Sequence, residues 1–372
     1  MNRSAILVAS GLGAVALAAS ASRGSVPVVF AAGMVRREFV DSTRGNWQGT
    51  GPRPLTTLIW YPAPMGSRAE TLSIGSTGSP VFLAGVASPG APVAGDTTRY
   101  PLIVLSHGTG GSAVQLAWLG TALARRGYIA AAVNHHGNTG AEPQYDPRGF
   151  LLWWERARDL SVVLDRVVAD SLLARRIDHH RIGAAGFSLG GYTVMLLAGA
   201  RVDLDAYRAF CRSSARDFTC EPQPEFPQAP AEFARLAATD SATKTSLARA
   251  NDAYRDPRIS AVAALAPAIG EALNRSSLAQ IRLPLLVIVG AADDEAPAPT
   301  NARVIADAVP GAQLIVLPGV GHYDFLSPCT PRGREAIARL CQETQGTDRV
   351  AVHDSVVALV AAFYEQAWRA KP

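Results

Sequence analysis

The chain has 372 residues, 48% of them hydrophobic, and a formal net charge of +4 spread over interspersed arginines, aspartates and glutamates. Length and apolar content point to a globular protein with a large core, for which one domain of the larger α/β kind or two smaller domains would both fit. Without a basic block, the charge gives no argument for nucleic acid as a partner.

In chain order, the first feature is "MNRSAILVASGLGAVALAASASRG", with Arg3 near the start, an uncharged run from Ser4 to Ser22, and small residues at Ala19-Ser20-Ala21. This pattern predicts an export signal over 1–21, cleaved after Ala21, and a periplasmic or secreted protein. The run is dominated by Ala, Gly and Ser, too weakly hydrophobic for a good membrane span, so no stable span is expected once the signal is removed. The rest, 22–372, reads as one domain.

Short apolar runs closed by turn residues follow at 55–63, 100–108, 128–137, 181–188, 259–267, 283–293 and 312–319. They read as strands buried on both faces. Between them lie helical spacings: Leu116, Leu119 and Leu123 before Gly127; Leu160, Val163, Leu164 and Val167; and Val352, Val356, Leu359 and Phe363. This alternation predicts a mostly parallel central sheet with helices on both faces. Residues 64–99, rich in Gly, Pro, Ser and Thr, read as an extended excursion, and 201–258 as a cap-like insertion with a proline-dense stretch, "CEPQPEFPQAP".

The chemistry centres on "RIGAAGFSLGGYTVMLLAG", in which G-x-S-x-G sits between a strand and a helix, the context of a nucleophile elbow. Gly186 and Gly190 leave room for a tight turn, with Ser188 at its tip and the Leu189 N–H directed at a developing oxyanion. A serine hydroxyl needs a base, and the base a carboxylate. His322, in the loop "VGHYDFL" after a strand, is preferred over His353, which falls inside a helical pattern. "LLVIVGAADDEAP" offers Asp293, Asp294 and Glu295 in one turn. The order Ser188, Asp293, His322 is the Ser…Asp…His order associated with such elbows. "VLSHGTGGS" supplies a Gly-rich loop whose Thr109 N–H is the second oxyanion donor. His107 in that loop is read as ordering it, and adjacent His135 and His136 point to opposite sides of an extended segment, which argues against a shared metal.

Cys211, Cys220, Cys329 and Cys341 form two close pairs, for which local 211–220 and 329–341 disulfides are the most economical of three connectivities. Neither pair has metal-ligand spacing. No metal or cofactor is expected.

"SHGTGG", "NHHGNTG", "GFSLGG", "GAADDEAP" and "GHYDFLSPC" together resemble the α/β-hydrolase superfamily and, within it, exported dienelactone-hydrolase-like and platelet-activating-factor acetylhydrolase-like serine esterases. True dienelactone hydrolases use a cysteine nucleophile, where this chain has Ser188. The acetylhydrolase likeness implies Ser188, Asp293 and His322 as a triad, with Thr109 and Leu189 forming the oxyanion hole. The expected partner is a small ester, short-chained and water-soluble, because 231–256 offers alanines rather than the long apolar face of a lipase lid. Lipase, polyester hydrolase and acyltransferase are the alternatives on the same residues. A non-catalytic exported binding protein is the alternative of another class.

Overall fold

The computed structural model describes residues 30–344 and 346–369, so the export signal expected over 1–21 lies outside the described residues. Ten strands form one sheet: β1 (Ala31–Gly45), β2 (Pro52–Ala63), β3 (Glu70–Ser76), β4 (Ser79–Pro89), β5 (Tyr100–Ser106), β6 (Ile129–Val133), β7 (Ile177–Phe187), β8 (Ala261–Leu265), β9 (Leu285–Gly290) and β10 (Gln313–Leu317). Their order is β10-β9-β8-β7-β5-β6-β2-β1-β4-β3. From β10 to β6 every neighbouring pair is parallel, whereas β2 runs antiparallel to both β6 and β1.

β5, β6, β8 and β9 are buried at every residue, as continuous Val, Ile, Leu and Ala runs require in a sheet covered on both faces. One face packs the helices Glu155–Val168 and Leu189–Ala198 through residues such as Leu160, Val163, Tyr192 and Met195. The other packs Ala117–Arg125 and Arg349–Arg369 through Trp118, Leu123, Val356 and Phe363. The fold is therefore the mostly parallel α/β arrangement that the alternating runs imply.

Two departures from the sequence expectations have plain causes. β10 is at best half-buried, because as the edge strand it has one strand neighbour instead of two. Residues 64–99 are not a structureless excursion: they hold the β3–β4 hairpin, whose tip is the Thr77–Gly78 turn and whose alternating exposed positions hide it from any search for apolar runs. β1 escaped that search for the same reason, since Arg36, Arg37 and Glu38 interrupt it on a largely exposed strand.

The parallel strands share one carboxyl edge. The loops after β5, β7, β9 and β10 all leave from it, and they carry Thr109, Ser188, Asp293 and His322. Residues 201–258 contain the helices Leu204–Arg212, Ala229–Thr239 and Ser241–Ala248, and Phe218 to Pro230 of this segment form one wall of the cleft above that edge. Among the described residues no helix is long and apolar enough to cross a membrane.

Candidate active site

Ser188 follows β7 directly and opens the helix Leu189–Ala198. Its φ is 56°, a left-handed conformation that a side chain adopts only under constraint. The constraint is the glycine packing around it. A Cβ at Gly186 would strike the Gly190 carbonyl, and one at Gly190 would strike the Ser106 carbonyl at the end of β5. The turn can be this tight only with glycine at both places.

From that tip Ser188 Oγ lies 2.9 Å from His322 Nε2, and His322 Nδ1 lies 2.8 Å from Asp293 Oδ2. All three side chains are buried, with 6–8% of each residue exposed. The other oxygen of Asp293 accepts from the Ala296 N–H at 2.7 Å, which fixes the carboxylate in its loop. Burial pushes the His322 imidazolium down, but the adjacent Asp293 charge and hydrogen bond, with Glu295 and Asp294 further off, outweigh it and raise the histidine above its ordinary range. Asp294 is exposed and makes no hydrogen bond to the histidine. His353 takes no part in this chain of bonds: it stacks on Trp118 with ring centroids 4.0 Å apart, and its Nε2 lies 3.3 Å from the Phe325 carbonyl.

The N–H groups of Thr109 and Leu189 have no acceptor among the described residues, and both residues line the cleft beside Ser188. The loop carrying Thr109 is held from below. Gly110 N–H donates to Asn138 Oδ1 at 2.7 Å, Gly140 N–H donates to the Gly110 carbonyl, and Tyr145 O–H donates to the same carbonyl at 3.0 Å. His107 is fully buried, its Nδ1 2.7 Å from the Gly108 carbonyl and its Nε2 accepting from the His135 N–H, so it braces this loop. His135 turns inward to Ser106 and Asp159, while His136 turns to Glu142 and the Trp47 N–H.

Sequence reasoning missed Arg156. Its guanidinium donates to the His107 carbonyl and, at 3.1 Å, to Thr193 Oγ1, whose hydroxyl donates to the Leu189 carbonyl at 2.8 Å. One buried arginine thus ties the Thr109 loop to the Leu189 turn, a link between three segments that no local motif carries. The wall residues Glu225, Tyr145 and Phe150 were also missed, because their relation to Ser188 exists only after folding.

The cleft has a volume of about 420 Å³, within the range of small-molecule sites. A serine hydroxyl bonded to an imidazole, that imidazole bonded to a carboxylate, and two free N–H groups alongside can carry out acyl transfer. Among the described residues no group of three or more His, Cys, Asp or Glu side chains is placed to hold a metal ion. Cys211 is bonded to Cys220 and Cys329 to Cys341.

The model of the alpha/beta hydrolase family matches residues 103–334. A cutinase of Thermobifida alba is 32% identical over 113 residues, which is 30% of this chain and 34% of that protein. A cutinase of Thermobifida fusca is 30% identical over 113 residues, covering 30% of this chain and 32% of its own length. The chain spans about a third of the length of these curated relatives. A ferulic acid esterase from Streptomyces cinnamoneus superposes with a TM-score of 0.58 at 20% identity over 93% of this chain and 92% of that one, a likeness of fold.

Proposed function

Since the chain belongs to the alpha/beta hydrolase family, we propose that it is an exported serine esterase that cleaves small carboxylic esters through an acyl-enzyme. The observation that carries this reading is the unbroken chain from Ser188 Oγ through His322 to Asp293, with Ser188 and His322 lining the cleft. His322 takes the Ser188 proton as the hydroxyl attacks the ester carbonyl, and Asp293 stabilises the resulting imidazolium. The N–H groups of Thr109 and Leu189 hold the oxyanion of the tetrahedral intermediate. His322 then gives its proton to the departing alcohol, and a water molecule repeats the sequence on the acyl-enzyme to release the acid.

Export is supported by the disulfides, which persist in oxidising compartments, and by the signal-like first 21 residues. The segment 201–258 roofs the cleft, which favours short, soluble esters over chains that need a long open groove. The name cutinase carried by the curated relatives favours a second reading, hydrolysis of polymeric esters.

A fluorophosphonate probe and a p-nitrophenyl ester series test the proposal together. The wild type is expected to be labelled, and Ser188→Ala to lose both labelling and at least about 10³-fold of kcat. Rates should peak at acyl chains of about two to four carbons and fall several-fold beyond them. Well-folded wild type that takes no label overturns the enzyme reading in favour of a binding protein, and a peak at long chains with release of soluble products from a polyester film overturns the short-ester reading.

A further inference from the structure

Three carboxylates line the cleft: Glu221, Glu225 and Glu295. Two of them are neutralised within the protein. Glu221 pairs with Arg216, and Glu295 pairs with Arg339 at 2.6 Å. Glu225 has no ion pair among the described residues, and its Oε2 is shut off from solvent without a hydrogen-bond partner.

The position of Glu225 is firmly set. Its neighbour Phe226 packs edge-on against Phe150 with centroids 5.4 Å apart and lies 6.2 Å from the Tyr145 ring. Its own stem lies on the oxyanion loop, where a Cβ built on Gly110 would come within 2.9 Å of Glu225 Cγ. Gly110 follows Thr109, so the Glu225 stem packs one residue along from a proposed oxyanion donor, and the residue lines the cleft. Burial, its largest influence, pushes this carboxyl above its ordinary range, against a weaker pull from Arg339 and His322. A desolvated carboxyl in a substrate cleft is costly unless donors meet it, and apart from its own backbone N–H the described residues offer none, which leaves Oε2 unmet.

We infer that Glu225 is a specificity subsite, recognising a hydrogen-bond donor, a hydroxyl or an ammonium group, carried by the ester a few atoms from its carbonyl. The inference rests on the esterase reading. An N–H cation gains a charge-assisted bond there, with the rings of Tyr145, Phe150 and Phe226 close by, and a hydroxyl gains a neutral one. A substrate carboxylate is disfavoured, because apart from His322 the acidic and basic residues of the cleft wall are Glu225 and two glutamates already paired, with no arginine or lysine among them.

The test compares esters of matched shape by pH-stat at neutral pH. On the alcohol side, 2-(dimethylamino)ethyl acetate and 3-methylbutyl acetate differ by N–H⁺ for C–H. On the acyl side, methyl 4-(dimethylamino)butanoate and methyl 5-methylhexanoate differ likewise, and monomethyl glutarate supplies the anion. In the wild type the cationic member of at least one pair is expected to have the higher kcat/KM by about tenfold or more, and the anion the lowest value. Glu225→Gln, which keeps the shape, should cut that cation-to-isostere ratio about tenfold and raise the relative rate of the anion. A merely structural role for Glu225 would lower all rates together and leave the ratios alone, which overturns the inference, as does a wild type that prefers the uncharged isosteres or the anion. If the wild type hydrolyses no ester and takes no fluorophosphonate label, the esterase reading itself fails and the subsite falls with it; labelling with unselective hydrolysis sinks the subsite alone.

Discussion

Asp293 and Asp294 are neighbours in sequence and opposites in surroundings. The first is 6% exposed and bonded to His322, the second exposed and unbonded to it. Asp293→Asn keeps the shape but gives up the charge that holds the imidazolium, so kcat is expected to fall by about 10⁴-fold. Asp294→Asn should stay within about tenfold of the wild type, and the reverse pattern in steady-state kinetics would reassign the carboxylate. The pH profile follows from the same contacts. His322 must be neutral to accept the Ser188 proton, and its folded pKa is raised, so the acid limb of kcat/KM should lie above the ordinary histidine range and activity should grow as pH rises through it. Glu295→Gln removes one of the charges that raise it and should move that limb to lower pH, whereas a limb that moves upward contradicts this electrostatic account. At this scale the sequence was informative about Ser188, Asp293 and His322, because each stands in a short motif after an apolar run. It was silent about Glu225 and Arg156, whose neighbours lie in distant segments.

Among the elements, the loop after β10 depends on a staple. The turn His322–Phe325 leads into Cys329, which is bonded to Cys341 and also forms an isolated antiparallel bridge with Phe82 of β4. Pro328 accepts from the Leu83 N–H, and the Arg349 guanidinium reaches both the Ser327 carbonyl and Cys329 Sγ. With the disulfide replaced by two alanines the Phe82 bridge, the Leu83–Pro328 bond and the Arg349–Ser327 bond remain, so the unfolding free energy should drop by no more than about 3 kcal/mol. Without the covalent tie the imidazole is placed less exactly, and kcat is expected to fall tenfold or more. Unchanged kcat with a large stability loss would reverse that ranking. The Cys211–Cys220 bridge lies elsewhere, in the roof, where Tyr207 O–H donates to the Thr219 carbonyl at 2.5 Å and Cys220 lines the cleft. Central strands and long helices were legible as elements because burial on two faces imposes continuous apolar runs and burial on one imposes helical spacing. The β3–β4 hairpin was not, since an outer ribbon with a wet face needs neither pattern.

Over the whole molecule, the site is backed by a buried ionic network. Arg44 bridges Asp41, Glu155 and Asp159; Arg53 also pairs with Asp159; and His135 joins Asp159 to Ser106 beneath the Thr109 loop. Three buried imidazoles are kept neutral, those of His107, His135 and His353. Burial, the largest influence in each case, lowers His107 well below its ordinary range, His135 to about 3 and His353 to about 4. Unfolding lets each take a proton at its ordinary pKa, so the stability they contribute is complete above about pH 6.5 and is lost as pH falls towards 4. His353 alone accounts for roughly 3 kcal/mol across that window. Denaturant midpoints should therefore fall steadily from pH 7 to 4.5, with a shallower fall in His353→Gln, and a flat profile for the wild type would contradict the neutral state of these groups. By itself the sequence determined the fold class, the tight G-x-S-x-G turn with its strand and helix, and the order of candidate residues along the chain. These are local requirements, of periodicity and of space around a tight turn, and they are written in consecutive residues. Only the tertiary structure decided which carboxylate meets the histidine, how one arginine joins two loops, and which glutamate in the wall has no ion pair among the described residues. Those outcomes depend on distances between segments far apart in the chain, and such distances are set by the packing of the sheet and its helices as a whole.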